Sequence, residues 1–355
     1  MCTPKLLKSF AYSGFYDYFK CFCPEWVCLR IDKAGREWYP KKEARAVPPA
    51  NLRQIEKGRL LPMKLLTYYA DGVETVGFAS PDGATVWPLS AAGISSTDMQ
   101  SVVERYTPAE LARAVAAADL PEGIPYERLV KAAPIPRPRQ DVICLGINYM
   151  AHAEESARYK NEAFGGERPY PVYFSKRVDE AVPDGGAINA HRDMVDSLDY
   201  ECELAVVIGK EADHVSPEEA YDHVFGYTIL NDVSARTVQT RHKQWYFGKG
   251  LDGFTPMGPW IVTAEELPGR PALGIRSRVN GELRQNSNTD LLIFDVAYVI
   301  SDLSRGIRLK PGTVIAMGTP AGVGMGFQPP KWLQPGDVVA CEIDGIGTLT
   351  NVVSE

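Results

Sequence analysis

After Met63 the apolar positions recur mostly with a period of two, the spacing that sets alternate side chains on one face of a strand. Met63-Lys64-Leu65-Leu66-Thr67-Tyr68 opens the first such run. Residues 73–78 and 85–89 follow, with Asp82-Gly83 between them, and read as a hairpin. Further strands are expected over residues 142–146 and 225–230. In the last third, Asn280-Gly281, Pro311-Gly312, Pro335-Gly336 and Asp344-Gly345 place tight turns between β-like runs. Helical signals are fewer. Thr107-Pro108-Ala109-Glu110 carries a capping threonine, proline in the first turn and glutamate at the third position, and Ser216-Pro217-Glu218-Glu219 repeats the pattern. Two more helices are expected, one starting within residues 147–155 and one over 294–305. Pro134-Ile135-Pro136-Arg137-Pro138 excludes regular structure and divides a small domain, 63–133, from a larger one, 134–355.

The run that organises the larger domain is Leu198-Asp199-Tyr200-Glu201-Cys202-Glu203-Leu204-Ala205-Val206-Val207-Ile208-Gly209-Lys210. As one strand it turns Leu198, Tyr200, Cys202, Leu204 and Val206 one way and Asp199, Glu201 and Glu203 the other. The acidic face becomes apolar again at Ala205 and Val207, as an interior strand opening at its start into a site would. Clustered carboxylates repel unless a positive charge lies among them, and a hard divalent cation is the simplest such charge. An isolated E-x-E is commonly a solvated edge. Here a third acid, Asp232, follows the strand 225–230, and a polar cluster follows it.

Two more features bear on chemistry. His152 and Glu155 share a helix face at a spacing of three, and a carboxylate beside an imidazole holds its tautomer and stabilises the cation formed on proton uptake. Lys249 lies between Gly248 and Gly250, which let the backbone approach closely. The loop Gly318-Thr319-Pro320-Ala321-Gly322-Val323-Gly324 has neither the lysine nor the following helix of a phosphate-binding loop, so no nucleotide site is expected there.

Charge separates the first 62 residues from the rest. They hold 12 Lys+Arg against 6 Asp+Glu, so the net charge of −7 for the whole chain leaves −13 on residues 63–355, which argues against nucleic acid as a partner. Four of the seven cysteines fall in the first thirty positions, at a spacing that matches no common zinc site; the others, Cys144, Cys202 and Cys341, lie in apolar runs. No disulfide framework, membrane span or export signal is read, and a cytoplasmic protein is expected. Glu56-Lys57-Gly58-Arg59 can be encoded by purine-only codons, as a ribosome-binding site translated in frame would be. Residues 1–62 are therefore read as an extension outside the native protein, with translation expected to start at Met63.

Several ordered motifs resemble the fumarylacetoacetate hydrolase family, in its bacterial branch of acylpyruvases, 2-hydroxyhepta-2,4-diene-1,7-dioate isomerases, oxaloacetate decarboxylases and ureidoglycolate lyases. They are Gly146-Ile147-Asn148-Tyr149 with His152 and Glu155, Pro171-Val172-Tyr173-Phe174-Ser175-Lys176, Asp199-Tyr200-Glu201-Cys202-Glu203-Leu204 and Asn231-Asp232-Val233-Ser234-Ala235-Arg236. Gly248-Lys249, Gly258-Pro259-Trp260, Val279-Asn280-Gly281 and Gly318-Thr319-Pro320 continue the series. The resemblance implies a mixed, β-rich α+β fold, a rolled β-sheet catalytic domain with a small N-terminal α/β domain, assembled as a homodimer. It further implies Glu201, Glu203 and Asp232 as ligands of Mg2+ or Mn2+, His152 with Glu155 and Lys249 as catalytic groups, and Lys176, Arg236, Gln239 and Thr319 as contacts to a 2-keto acid. Three positions depart from the pattern: Thr237 where aspartate is usual, Gly250 where serine is common, and Arg177 where proline is common.

The first reading is thus metal-dependent hydrolysis of a C–C bond in a β-diketo acid of the acylpyruvate or fumarylpyruvate type, as met in aromatic catabolism. The alternative is lyase, decarboxylase or isomerase work at the same site, because an enolate held by a metal serves all of these. A non-catalytic relative is the third reading, and the convergence of six polar groups weighs against it. A cupin would need closely spaced histidine ligands, which the five histidines do not supply.

Overall fold

The structure is a computed structural model. It describes residues 63–355 apart from 167, 168 and 268, and before them only two short antiparallel strands, Arg30–Ile31 (β1) and Glu37–Trp38 (β2). The chain divides into two compact units, Met1–Asn51 and Leu52–Glu355. The readings of residues 1–62, as an extension and as a segment without a zinc site, otherwise lie outside the described residues.

In the second unit the strands are Lys64–Ala70 (β3), Val73–Ala79 (β4), Thr85–Pro88 (β5), Ile124–Pro125 (β6), Val130–Ala132 (β7), Val142–Gly146 (β8), Val172–Lys176 (β9), Ala187–Ile188 (β10), Leu198–Asp199 (β11) and Cys202–Ile208 (β12). They continue with Val224–Asn231 (β13), Ser234–Ala235 (β14), Met257–Thr263 (β15), Gly274–Val279 (β16), Glu282–Asn288 (β17), Val314–Ala316 (β18), Val338–Ile343 (β19) and Gly347–Val353 (β20). The α-helices are Met99–Arg105 (α1), Pro108–Ala117 (α2), Met150–Lys160 (α3), Arg236–Arg241 (α4), Tyr246–Lys249 (α5) and Val296–Ser304 (α6). One sheet of eleven strands runs β6-β5-β4-β3-β15-β13-β12-β18-β8-β9, with β7 also paired to β3, and a second runs β10-β20-β19-β16-β17. The expected β-rich α+β fold is present. Among the described residues no helix is long and apolar enough to cross a membrane.

The period-two pattern of β12 explains where the core lies. Cys202, Leu204, Val206 and Ile208 join one apolar cluster with Ile275, Val339, Cys341 and Leu349 of the second sheet. Ala205 and Val207 face the other way, into a cluster with Val102 and Val103 of α1 and Leu111 of α2. The strand is therefore buried on both faces, and each Val, Leu or Ile so covered contributes roughly 1.5–3 kcal/mol. Helix α2 starts as its sequence directs, with Thr107 and Glu110 capping each other reciprocally.

Three expectations need revision or comment. The run 198–210 is not one strand: β11 pairs with β14, Tyr200 and Glu201 interrupt the ladder, and β12 starts at Cys202. The cause is local, because Asp199 accepts the N–H of Tyr200 and Asn231 Oδ1 accepts that of Glu201, so side chains replace the ladder bonds. Ser216 and Glu219 do bond, but they close a turn leading into a 3₁₀ segment, Ala220–His223, and β13 begins at Val224 before an α-helix can form. Residues 63–133 share a sheet with the rest, since Leu65 pairs with Ile261 and Lys64 with Val262, and the contact boundary falls at Asn51 instead of at the prolines.

Candidate active site

Strands β12 and β13 are antiparallel neighbours with Cys202 opposite Asn231. The start of one therefore lies beside the end of the other. Glu201 precedes β12, Glu203 is its second residue, and Asp232 follows β13, so three carboxylates meet at one place. One oxygen from each lies within 4.8 Å of the others, and all three residues are buried.

Cations enter from three other elements. Lys249, at the end of α5, places Nζ 2.7 Å from Glu201 Oε2 and 2.6 Å from Asp232 Oδ2. Lys176, at the end of β9, is fully buried and donates to Asp232 Oδ1, the Val233 carbonyl and the Lys249 carbonyl. Arg236, opening α4, donates from Nε to Asp199 at 2.8 Å and holds Nη2 2.6 Å from Glu201 Oε1. Gln239, one turn on, accepts from Arg236 Nη1.

Burial and charge pull these groups in opposite directions. Burial alone would raise the Glu201 carboxyl, but Lys249, Arg236 and His152 outweigh it and hold the group below the usual range. At Glu203 burial wins: it pushes the carboxyl well up, Asp232 and Glu201 push it further, and Lys249 and the Gly318 N–H offset only part of this. Burial would lower Lys249, yet Asp232 and Glu201 more than reverse this. At Lys176 burial wins over the attraction of Asp232, and the ammonium is pushed down. Arg236 is raised, because Glu201 and Asp199 overcome its burial.

The second half of the site is the expected pair on α3. His152 Nδ1 lies 3.0 Å from Glu155 Oε2, with both side chains buried. Glu155 Oε1 accepts the N–H of Gly322 at 3.0 Å, which fixes the carboxylate in turn. Nε2 is left as the ring nitrogen without a protein partner among the described residues.

A cavity of about 50 Å³ joins the two halves. His152, Glu201, Glu203, Arg236, Gln239, Lys249 and Thr319 line it, with Leu145, Ile147, Phe174, Trp245 and Met325 as its apolar wall. Glu155, Asp232 and Lys176 stand behind that lining. With three protein acceptors the Lys176 ammonium is saturated, so it positions Asp232 and the Lys249 backbone instead of facing the cavity. Thr319 Oγ1 donates to the Cys202 carbonyl and accepts from Gln285, which binds its hydroxyl to the fold.

Sequence reasoning assigned no role to Asp199, and in the loop after β18 only to Thr319. Asp199 holds Arg236 and accepts the N–H groups of Gly324 and Met325. The Gly318 N–H donates to Glu203 at 2.8 Å. The signal was the density of glycines, since a Cβ at Gly324 would meet the Lys331 carbonyl and Asp199, and one at Gly326 would meet Glu155. Two departures from the family pattern also find their reasons. Thr237 Oγ1 bonds Asp196 at 2.6 Å, where a carboxylate would be repelled. A Cβ at Gly250 would lie 3.0 Å from the Tyr246 carbonyl and 3.3 Å from the Arg177 Cβ, so glycine relieves a tight approach there.

Three buried carboxylates offer only hard oxygen donors, and Glu203 registers the surplus of negative charge among them. This donor set fits a hard divalent cation.

Comparison with known proteins agrees with that geometry. The family model for the fumarylacetoacetate (FAA) hydrolase C-terminal region matches residues 141–354. Oxaloacetate tautomerase YisK of Bacillus subtilis is 47% identical over 221 residues, 62% of this chain and 72% of the relative. Among solved structures, a fumarylacetoacetate hydrolase from Exiguobacterium antarcticum is 37% identical with a TM-score of 0.69, covering 82% of this chain and 99% of that one. Fumarylpyruvate hydrolase from Pseudomonas aeruginosa, in complex with Mn2+ and pyruvate, is 34% identical with a TM-score of 0.53, covering 61% and 89%. The match spans well over half of the residues and includes both halves of the site, and the chain belongs to the fumarylacetoacetate hydrolase family of enzymes.

Proposed function

We propose that this site moves a proton at the carbon beside the keto group of a small 2-keto acid, interconverting its keto and enol forms. The observation that carries the reading is the arrangement of His152: one ring nitrogen bound by Glu155, the other without a partner among the described residues, on the wall of a cavity that holds the acidic cluster. In the keto-to-enol direction Nε2 of neutral His152 takes the C–H proton, and the Glu155 carboxylate stabilises the imidazolium. The electron pair moves towards the keto oxygen, where Lys249, which spends two of its three N–H groups on carboxylates, supplies the third. Glu201, Glu203 and Asp232 would hold Mg2+ or Mn2+, which when bound supplies positive charge to the carboxylate and keto oxygens of the substrate. The imidazolium then passes the proton to the enolate oxygen, so the interconversion consumes and releases nothing. The similarity to YisK supports oxaloacetate as the substrate. By resemblance to its family the enzyme acts as a homodimer in the cytoplasm.

A second reading is hydrolysis of a C–C bond in an acylpyruvate, with His152 deprotonating water. The similarity to fumarylpyruvate hydrolase favours it. One experiment separates the two: ultraviolet decay of the enol of oxaloacetate and of an acylpyruvate, with and without Mn2+, with products identified by mass. Metal-dependent loss of the oxaloacetate enol at constant total oxaloacetate supports tautomerisation. Cleavage of the acylpyruvate alone transfers the assignment to hydrolysis, release of carbon dioxide transfers it to decarboxylation, and silence on both substrates overturns the reading.

A further inference from the structure

The two peptide groups between Glu201 and Glu203 are held by side chains instead of by a sheet. Strand β18 pairs with β12 only at residues 205–207, so the ladder on that side stops short of Cys202. Asn231, opposite Cys202 on β13, donates its N–H to the Pro256 carbonyl instead. The Cys202 N–H donates to Gln285 Oε1 at 3.1 Å, and the Cys202 carbonyl accepts from the Thr319 hydroxyl at 2.9 Å. Thr319 Oγ1 accepts in turn from Gln285 Nε2 at 2.7 Å, and the same nitrogen donates to the Pro320 carbonyl at 2.8 Å. One side chain thus governs both peptides.

Gln285 reaches them from the other sheet, and it is fully buried. On β17 it lies opposite Ser277, whose hydroxyl accepts its backbone N–H. The register with β16 slips at the next position, where Arg284 is the extra residue of a bulge, and bulges beside functional sites re-aim side chains in this way. The surroundings fix which end of the amide is which. Reversed, its nitrogen would face the Cys202 N–H and its oxygen the Pro320 carbonyl. In the observed sense each hydrogen bond of the chain from Gln285 through Thr319 to the Cys202 carbonyl polarises the next.

Resting on the proposed role of Glu201, Glu203 and Asp232 as metal ligands, we infer that Gln285 is a positioning residue that fixes the spacing of Glu201 and Glu203, and with it the cation that the cluster favours. Its amide bonds go to backbone groups and to Thr319, so it acts on the two acids through the chain that joins them. Mg2+ requires a near-ideal octahedron of oxygens at about 2.0–2.1 Å, whereas Ca2+ accepts about 2.3–2.6 Å with variable number and geometry. Carboxylates locked through their backbone serve the strict cation, and carboxylates released from it still serve the tolerant one.

The test is calorimetric titration of the full chain with Mg2+ and, separately, with Ca2+. Gln285→Met keeps the length of the side chain and removes its amide. It is expected to weaken Mg2+ by about 10-fold to 100-fold, the usual scale for losing a group that orients a metal ligand, and Ca2+ by less than about threefold. The variant leaves a buried N–H without its acceptor, so circular dichroism checks its fold, and Thr319→Val, which removes only the bridge to the Cys202 carbonyl, is titrated beside it. Thr319→Val is expected to change the ratio of the two affinities in the same direction, and Thr319→Ser to restore it. Unchanged affinities, or equal weakening of both cations, in folded Gln285→Met overturn the inference and leave the metal site standing; if Gln285→Met does not fold, the same result in Thr319→Val does so. A wild type that binds neither cation overturns the metal site itself, and the inference with it.

Discussion

Replacing Lys249 by methionine removes the cation that bridges Glu201 and Asp232 and keeps an apolar stem of similar length. Lys249 is 2% exposed, so solvent does little to screen the loss. Removing one partner of a buried ion pair typically destabilises by about 3–5 kcal/mol, because the charge left behind has no compensation. At roughly 2 °C per kcal/mol for a large domain, Tm should fall by about 6–10 °C. The pH dependence follows from the two shifts. Glu201 is held below its ordinary 4.5, so its contribution is present above that pH and is lost as pH falls towards its lowered value. Lys249 is held above its ordinary 10.5, so its contribution is present below that pH and is lost as pH rises beyond it. The deficit should therefore be complete at pH 7 and smaller at pH 3.5. Scanning calorimetry in EDTA measures it, and the same scan with Mn2+ should raise Tm more in the variant than in the wild type, since a cation then replaces the missing charge. A variant with wild-type Tm in EDTA at pH 7, or with no extra response to Mn2+, would refute this account of the cluster.

Three further outcomes are expected. Glu201→Ala or Asp232→Ala should lose calorimetric Mn2+ binding, whereas His152→Gln should keep it and lose at least a hundredfold in turnover, the usual scale for removing a general base; a fully active His152→Gln excludes the dyad. Because burial and its acidic neighbours raise Glu203 in the folded, metal-free protein, stability in EDTA should decline as pH rises above 4.5, and metal binding should expel a proton. Titrations in buffers of different ionisation enthalpy read that proton, and its absence would place Glu203 outside the ligand set. Gly326→Ala puts a methyl group against Glu155, so it should lower turnover and alter the pH dependence of turnover while Mn2+ affinity stays within twofold; an unaltered dependence would show that Glu155 does not position the imidazole.

Much of this site could be read from the sequence because side chains with strong geometric rules carry it. An acid at each of two alternate positions and a third at the end of the neighbouring strand meet when the strands pair, and a spacing of three on a helix brings His152 to Glu155. What escaped is what side-chain patterns do not encode. The break at Tyr200 depends on Asn231 and Asp199 capturing backbone N–H groups, a competition between local and ladder bonds that alternation cannot reveal. Lys176 was expected as a substrate contact, and only its burial and its three acceptors show that its ammonium is already satisfied. The sheet continuity of residues 63–133 was hidden because pairing across nearly two hundred residues leaves no mark in a proline-rich linker.

The loop after β18 shows how the two halves of the site act as one. Its backbone donates to Glu203 from Gly318, to Glu155 from Gly322 and to Asp199 from Gly324 and Met325. Asp199 holds Arg236, which lies against Glu201. One segment thus touches a carboxylate of the acidic cluster, the partner of His152 and the anchor of a cavity cation. Amide donors suit this work, since they carry no net charge and do not compete with a cation for the carboxylates. The glycines are a steric requirement of the arrangement: at Gly322 φ is +104, and a Cβ there would meet the Arg284 carbonyl. A displacement of this loop would therefore move the His152–Glu155 pair and the cluster together. Substitutions that shift the backbone between Gly318 and Gly322, although they change no ionisable group, should lower metal affinity and turnover together, whereas substitutions of His152, or of Gly326 against Glu155 alone, should separate the two.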